Sequence, residues 1–131
     1  MLENIADKSD VNQYLSELKN MIRNNARLIL SNREKNMMFC ENNDIKVDKI
    51  KKILLNLRID DFCKVLNNKG INLFEKLYLF APYIKNKDGK YQQLYVKINK
   101  IVEKKLIILV SFHESKYFLK TKYKNRSDSF E

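Results

Sequence analysis

Apolar residues in the first part of the chain recur at the spacing of amphipathic helices. Between Val11 and Ile22 they return every three or four positions, so they form one stripe on the surface of a helix. Asp10 is the predicted N-cap, and Gln13 stands three residues later, where it would complete a capping box. Residues 1–9 are predicted to form a loose arm before this helix.

Two further helices are predicted before the middle of the chain. Ser31–Glu41 begins with a capping-box match, and its Met37 and Met38 are predicted to fill the core. Val47–Leu57 carries apolar residues on one face and lysines away from it, which indicates either a solvated surface or a binding patch. The short apolar run Arg27–Leu30 predicts a strand or an extended connector.

Two runs rich in β-branched and aromatic residues organise the second half of the chain. Gln92–Val102 and Leu106–His113 lie on either side of a short charged turn, and they predict a long antiparallel hairpin at the centre of a sheet. Side chains alternate between the two faces of a strand. This alternation predicts a phenol, an ammonium, a hydroxyl and the only imidazole of the chain on one side of the hairpin: Tyr95, Lys97, Ser111 and His113.

The segments before the hairpin are predicted to add shorter strands to the sheet. Ile59–Leu66 has the composition of a strand, and alternation within it places Phe62 and Lys64 on the same face. Leu73–Phe80 fits a helix or a strand, and Pro82 would restrict such a strand to the edge of the sheet.

The order of these elements predicts an α+β fold, in which N-terminal helices pack on a small antiparallel sheet that ends in the long C-terminal hairpin. The 131 residues suffice for one domain, with a core over 10–115 and a basic tail over 116–131. No apolar run is long enough for a membrane helix, and the N-terminus is too polar for a signal peptide, so a cytoplasmic protein is expected. Cys40 and Cys63 lack the spacing of metal ligands, which favours two thiols in a reducing compartment.

The charge balance favours an anionic partner. The formal net charge is +10 and the pI is about 9.6, and nucleic acid is the commonest partner of such proteins. The frequent Lys, Asn and Ile are also typical of AT-rich genomes, which weakens this argument. Lysines and aromatic residues alternate in the tail, a composition that suits RNA binding as well as it suits a frayed, solubilising tail. The lysines predicted to bind RNA there are Lys116, Lys120 and Lys122.

Three motifs resemble, in order and spacing, those of the MqsR family, the motility quorum-sensing regulator toxins of bacterial toxin–antitoxin systems. They are Asp61–Lys64, Leu94–Ile98 and Ile108–Glu114, and the likeness extends over residues 11–115. The resemblance implies a RelE-like fold and a metal-independent endoribonuclease that cleaves single-stranded mRNA and is inhibited by a cognate antitoxin. No metal or other cofactor is expected, and a homodimer is left open.

The same resemblance implies a set of site residues. Lys64, Tyr95 and Lys97 match family positions, the first two as catalytic residues and Lys97 as an RNA-binding residue. Glu75 stands where the family has glutamine, and His113 stands where it has lysine. Both departures introduce groups that can move protons, because a carboxylate can act as a base and an imidazole changes charge near neutral pH.

Simpler interpretations of these residues remain alongside the catalytic one. Glu75 could instead form an ion pair on the surface, and His113 could be a surface residue at the end of a strand. Tyr95 could be an aromatic residue that only packs against its neighbours. Without catalysis, the chain would be an RNA-binding module of the same fold. A third alternative is a protein-binding domain whose basic face meets an acidic partner.

Overall fold

Three helices and a six-stranded sheet make up the described part of the chain, which is residues 6–67 and 76–123 of a computed structural model. The α+β class predicted from the sequence is confirmed. The helices are α1 (Lys8–Arg23), α2 (Glu34–Asn42) and α3 (Val47–Leu55). The strands are β1 (Arg27–Leu30), β2 (Phe62–Asn67), β3 (Lys76–Phe80), β4 (Tyr83–Lys85), β5 (Tyr91–Ile101) and β6 (Leu106–Glu114). No helix within these ranges is long and apolar enough to cross a membrane.

The sheet is mixed, whereas the sequence predicted an antiparallel one. Its strand order is β1-β6-β5-β3-β2, with β4 paired to the first part of β5. Every pairing is antiparallel except that of β1 with β6. The backbone N–H of Arg27 donates to the carbonyl of Lys105, 2.9 Å away. The chain therefore enters β1 beside the start of β6, and the two strands run in the same direction.

The predicted hairpin is present as β5 and β6. Lys105, with a φ of 49°, ends the turn between the strands in the left-handed region. The register shifts at one point, because Lys97 pairs with Ser111 while Ile98 pairs with Leu109. Val110 is therefore the extra residue of a β-bulge. The bulge keeps Leu109 in the core and still leaves Ser111 opposite Lys97.

The prediction for the strand before Pro82 is wrong in its position. Lys76–Phe80 is a strand, but it lies inside the sheet between β2 and β5. Pro82 lies beyond the end of this strand, and its carbonyl accepts a hydrogen bond of 2.8 Å from the backbone of Leu94. Because Pro82 is not one of the hydrogen-bonded residues of β3, it does not restrict this strand to the edge of the sheet.

The core lies between one face of the sheet and the apolar faces of the helices. The stripe predicted for the first helix is buried, and the even-numbered apolar residues of β5 meet it from the sheet. Burial at these positions removes apolar surface from water, which is the main stabilising contribution to such a fold. The fully buried residues at this interface include Val11, Leu18, Val96, Ile98, Leu109 and Phe112.

The first helix begins earlier than the sequence predicted. Its N-cap is Asp7, whose carboxylate accepts a hydrogen bond of 2.8 Å from the backbone N–H of Asp10. The side chain of Asp10 accepts one from the backbone of Asp7 in return, so Asp10 is the capping-box partner and not the cap. The described end of the predicted loose arm is ordered, and Ala6 is buried.

The second helix also differs from its prediction at its start and on its faces. The Ser31–Glu34 capping box does not form, because Ser31 extends β1 and its backbone N–H donates to Leu109. Met37 and Met38 are 49% and 54% exposed instead of filling the core. The buried residues of α2 are Asn36 and Phe39.

Residues 115–123 are held against the rest of the fold, so the frayed-tail alternative does not describe them. The side-chain amide of Gln93 donates to the carbonyl of Leu119 and accepts from its N–H, at 2.9 and 2.8 Å. Further on, the hydroxyl of Tyr123 donates to the carbonyl of Ala6 at 2.7 Å, and its ring stacks on Phe62 with centroids 6.0 Å apart.

Ending the chain at Glu114 is therefore expected to reduce stability as well as charge. Loss of the Gln93–Leu119 hydrogen bonds and of the Tyr123 packing should lower the free energy of unfolding by about 2–4 kcal/mol. Urea unfolding measures this loss. The matched control is a chain that ends at Tyr123, which keeps all these contacts. Equal unfolding midpoints for the two truncations would contradict the prediction.

Candidate functional site

A cleft of about 780 Å³ opens on the side of the hairpin that carries its polar residues. One wall is α2 together with Arg33. Another is formed by Glu114 at the end of β6 and by the segment that follows it, from Ser115 to Tyr117 and at Leu119. The floor consists of the four polar side chains that strand alternation brings together: Tyr95, Lys97, Ser111 and His113. The predicted grouping of these four residues is therefore present in the structure.

A buried asparagine holds α2 against the sheet and so builds the first wall. β1 leaves the edge of β6 after Leu30, and the side chain of Asn36 continues the pairing along that edge. Its oxygen accepts from the backbone N–H of Phe112 at 2.8 Å, and its amide donates to the carbonyls of Val110 and Ser31 at 3.2 and 3.0 Å. Asn36 is fully buried. Asn36 was not predicted from the sequence, where its only signal is its position three residues before Phe39 on the inner face of α2.

Tyr95 and His113 form a cross-strand pair at one end of the cleft floor. Their rings are nearly parallel, with an angle of 7° between the planes and 5.5 Å between the centroids. His113 Nδ1 lies 2.9 Å from the carbonyl oxygen of Glu114. A carbonyl only accepts hydrogen bonds, so Nδ1 carries the proton and donates it. This leaves Nε2 as the ring nitrogen that can take up or release a proton toward a ligand.

Lys97 and Arg33 bring two positive charges to the same part of the floor. Lys97 pairs with Ser111 across the strands, and its Nζ lies 5.9 Å from the centroid of the Tyr95 ring. Arg33 Nη1 lies 3.5 Å from Ser111 Oγ. Partial burial lowers the pKa of Lys97, and the Arg33 guanidinium lowers it further. Arg33 was not predicted as a site residue, because only the packing of α2 brings it to the hairpin.

Lys64 lies on the same face of the sheet as the cleft but outside it. A register shift between Phe62 and Lys64 breaks the simple alternation, so Lys64 does not share the face of buried Phe62. Lys64 and Lys97 both pair with Leu79, which places them two strands apart, about 10 Å. Lys64 is exposed on the edge strand β2.

The predicted tail lysines separate into two groups. Lys116 lines the cleft, and its Nζ lies 5.8 Å from the centroid of the Tyr117 ring. Lys120 is exposed and Lys122 lies with its Nζ 3.4 Å from the carbonyl of Ala6, and neither lines the cleft. Glu75, the predicted carboxylate of the site, lies outside the described residues.

The cleft brings cationic side chains and an imidazole together, which are the groups that anion binding and proton transfer require. The cationic side chains around it outnumber the two carboxylates, Glu34 and Glu114. The cations are Arg33, Lys35, Lys97 and Lys116. No protein-family model matches the chain, and no curated protein matches its sequence. The chemistry of the cleft is therefore argued from its own geometry, and the family resemblance stays a prediction.

Proposed function

We propose that this protein is an endoribonuclease that cleaves single-stranded mRNA, and that it is the toxin of a toxin–antitoxin pair. One observation carries the proposal. The imidazole of His113 lies in a cationic cleft with Nδ1 held by a carbonyl and Nε2 left for proton transfer, beside Tyr95 and Lys97. RNA cleavage requires a group that binds the phosphate and a group that transfers a proton, placed close together.

The proposed reaction is an internal attack by the RNA itself. The 2′-oxygen attacks the adjacent phosphorus as its proton passes to a base, for which the sequence predicts the carboxylate of Glu75, and the bond from phosphorus to the 5′-oxygen breaks. The products are a 2′,3′-cyclic phosphate and a 5′-hydroxyl. His113 Nε2–H gives its proton to the departing 5′-oxygen, while the Lys97 ammonium stabilises the negative charge that develops on the phosphorane. Tyr95 fixes the plane of the imidazole through the stacked pair.

The proposal extends to the partners and setting of such a toxin. A cognate antitoxin would inhibit the protein in the cytoplasm, and the excess of cations around the cleft favours an acidic antitoxin segment as the inhibitor. The resemblance predicts Lys64 as a catalytic residue. Because it lies outside the cleft, about 10 Å from Lys97 on the same face of the sheet, we propose RNA binding for it instead. Measurement of the protein's mass in solution tests whether it forms a homodimer.

A cleavage assay on purified protein tests the activity. We expect single-stranded RNA to be cut in the presence of EDTA, with 2′,3′-cyclic phosphate and 5′-hydroxyl ends. A strand with 2′-deoxyribose at the cleaved position should resist, because it has no internal nucleophile. Cleavage of that strand, or a strict requirement for added metal, would contradict the proposed reaction.

One observation favours RNA binding without catalysis as the second candidate function. Tyr117 and Phe118, next to the cleft, are 74% and 73% exposed and follow Lys116. Exposed aromatic rings beside a cation are typical of surfaces on which bases of a single strand stack. Salt-dependent binding of RNA with no cleavage would select this function.

A further inference from the structure

Arg33, Lys97 and Ser111 converge from two separate parts of the chain on one spot of the cleft floor. Lys97 and Ser111 are opposite each other in β5 and β6, and Arg33 reaches the Ser111 hydroxyl from the start of α2. All three side chains line the cleft. We propose that these three residues form a phosphate-binding subsite, which holds the non-bridging oxygens of an RNA phosphate next to His113. This inference rests on the proposed RNA substrate and adds Arg33 to the site.

Two positive charges meet at this spot, as they do in sites that bind anions. Neither Arg33 nor Lys97 forms a salt bridge with a carboxylate of residues 6–67 or 76–123. Lys97 is partly buried, and the exposed Arg33 lies close enough to lower its pKa. Two like charges repel at such a distance, and an anion between them removes that cost. The guanidinium presents a planar fork that fits two phosphate oxygens, the ammonium acts as a point charge, and the hydroxyl of Ser111 can donate a third hydrogen bond.

The position of the subsite relative to His113 fits the proposed reaction. Lys97 and Tyr95 are two residues apart on β5, as Ser111 and His113 are on β6. Two residues along a strand span about 7 Å. Lys97 Nζ lies 5.9 Å from the centroid of the Tyr95 ring, so a phosphate held by Arg33 and Lys97 would be a neighbour of the Tyr95–His113 pair. Asn36 fixes this arrangement by anchoring α2 to the same strand.

Binding of a single-stranded oligonucleotide with 2′-O-methyl riboses tests the subsite, because this probe cannot be cut by internal attack. Arg33→Ala is expected to weaken binding by about 10- to 100-fold, and to reduce the slope of log affinity against log salt by about 0.7. Arg33→Lys should restore the slope and only part of the affinity, since it keeps the charge and loses the fork. Arg27→Ala is the matched control, because Arg27 is exposed on β1 and does not line the cleft.

The titration of Lys97, followed by NMR of its side chain, gives a second measurement that needs no RNA. Arg33→Ala removes one of the two causes that lower the pKa of Lys97, so this pKa should rise. It should stay below the value of an exposed lysine, because the burial remains. Arg27→Ala should leave it unchanged. An equal pKa in wild type and Arg33→Ala would show that the two cations do not share a site, and would overturn the inference.

The outcomes separate this inference from the proposed activity. Equal affinities and salt slopes for Arg33→Ala and Arg27→Ala would overturn the subsite, even if the protein cuts RNA. A protein that binds the oligonucleotide through Arg33 but cuts no RNA would support the subsite and overturn the endonuclease. Absence of oligonucleotide binding by the wild-type protein would overturn both.

Discussion

Replacement of His113 by alanine is expected to slow RNA cleavage by about 10²–10⁴-fold, the usual contribution of a general acid. The affinity for RNA should change only a few-fold, because the phosphate contacts of the cleft remain. Single-turnover cleavage and binding of a non-cleavable strand measure the two effects separately. Asn42→Ala is the matched control, since Asn42 also lines the cleft and has no proton to transfer at neutral pH.

The substitution His113→Lys refines this expectation. A lysine ammonium can also donate a proton to the departing 5′-oxygen, so His113→Lys should recover part of the cleavage rate that His113→Ala loses. Equal cleavage rates for wild type and His113→Ala at neutral pH would end the assignment. The reaction would then depend on Tyr95 and the lysines.

Replacement of Asn36 by alanine is expected to lower the free energy of unfolding by about 2–4 kcal/mol. The substitution removes three hydrogen bonds and leaves the N–H of Phe112 and the carbonyl of Val110 without that partner in a buried place. It also releases α2 from β6, so cleavage should fall together with stability. Urea unfolding, read alongside the cleavage rate, measures both effects.

A neighbouring residue supplies the control for this prediction. Lys35 is exposed on the same helix, so Lys35→Ala should change stability by no more than about 0.5 kcal/mol. Asn36→Asp keeps the acceptor for Phe112 and loses both donors, and it should also destabilise because it buries a charge. Unfolding midpoints for Asn36→Ala that match those of Lys35→Ala would show that the amide is not the anchor of α2.

Two irregularities in strand register affect which side chains face the cleft, and simple alternation along a strand predicts neither of them. The bulge at Val110 and the shift between Phe62 and Lys64 each change the face of the residues beyond them. A one-residue change of register moves side chains to the opposite face of a sheet. The first bulge preserves the pairing of Lys97 with Ser111, and the second places Lys64 on the cleft side of the sheet.

Periodicity within a single element was enough to predict that element from the sequence. The apolar stripe of α1 and the two halves of the hairpin could be predicted because spacing within one element decides which side chains share a face. The same reasoning correctly brought Tyr95, Lys97, Ser111 and His113 to one side of the hairpin. The start of α3 at Val47 was predicted correctly. The starts of α1 and α2 were predicted less well, because Asp7 caps α1 in place of Asp10, and α2 begins at Glu34 without a side-chain cap.

Contacts between distant parts of the chain decide which other residues join that hairpin. β1 runs parallel to β6, and this pairing depends on contacts far apart in the sequence. The side chain of Asn36 forms hydrogen bonds with the backbone of β6, as a neighbouring strand would. Arg33 reaches Ser111 only because Asn36 holds α2 there. A polar residue on a helix gives no local sign of a partner more than 70 residues away. The cleft therefore depends on long-range packing, although its floor could be predicted from the strand pattern.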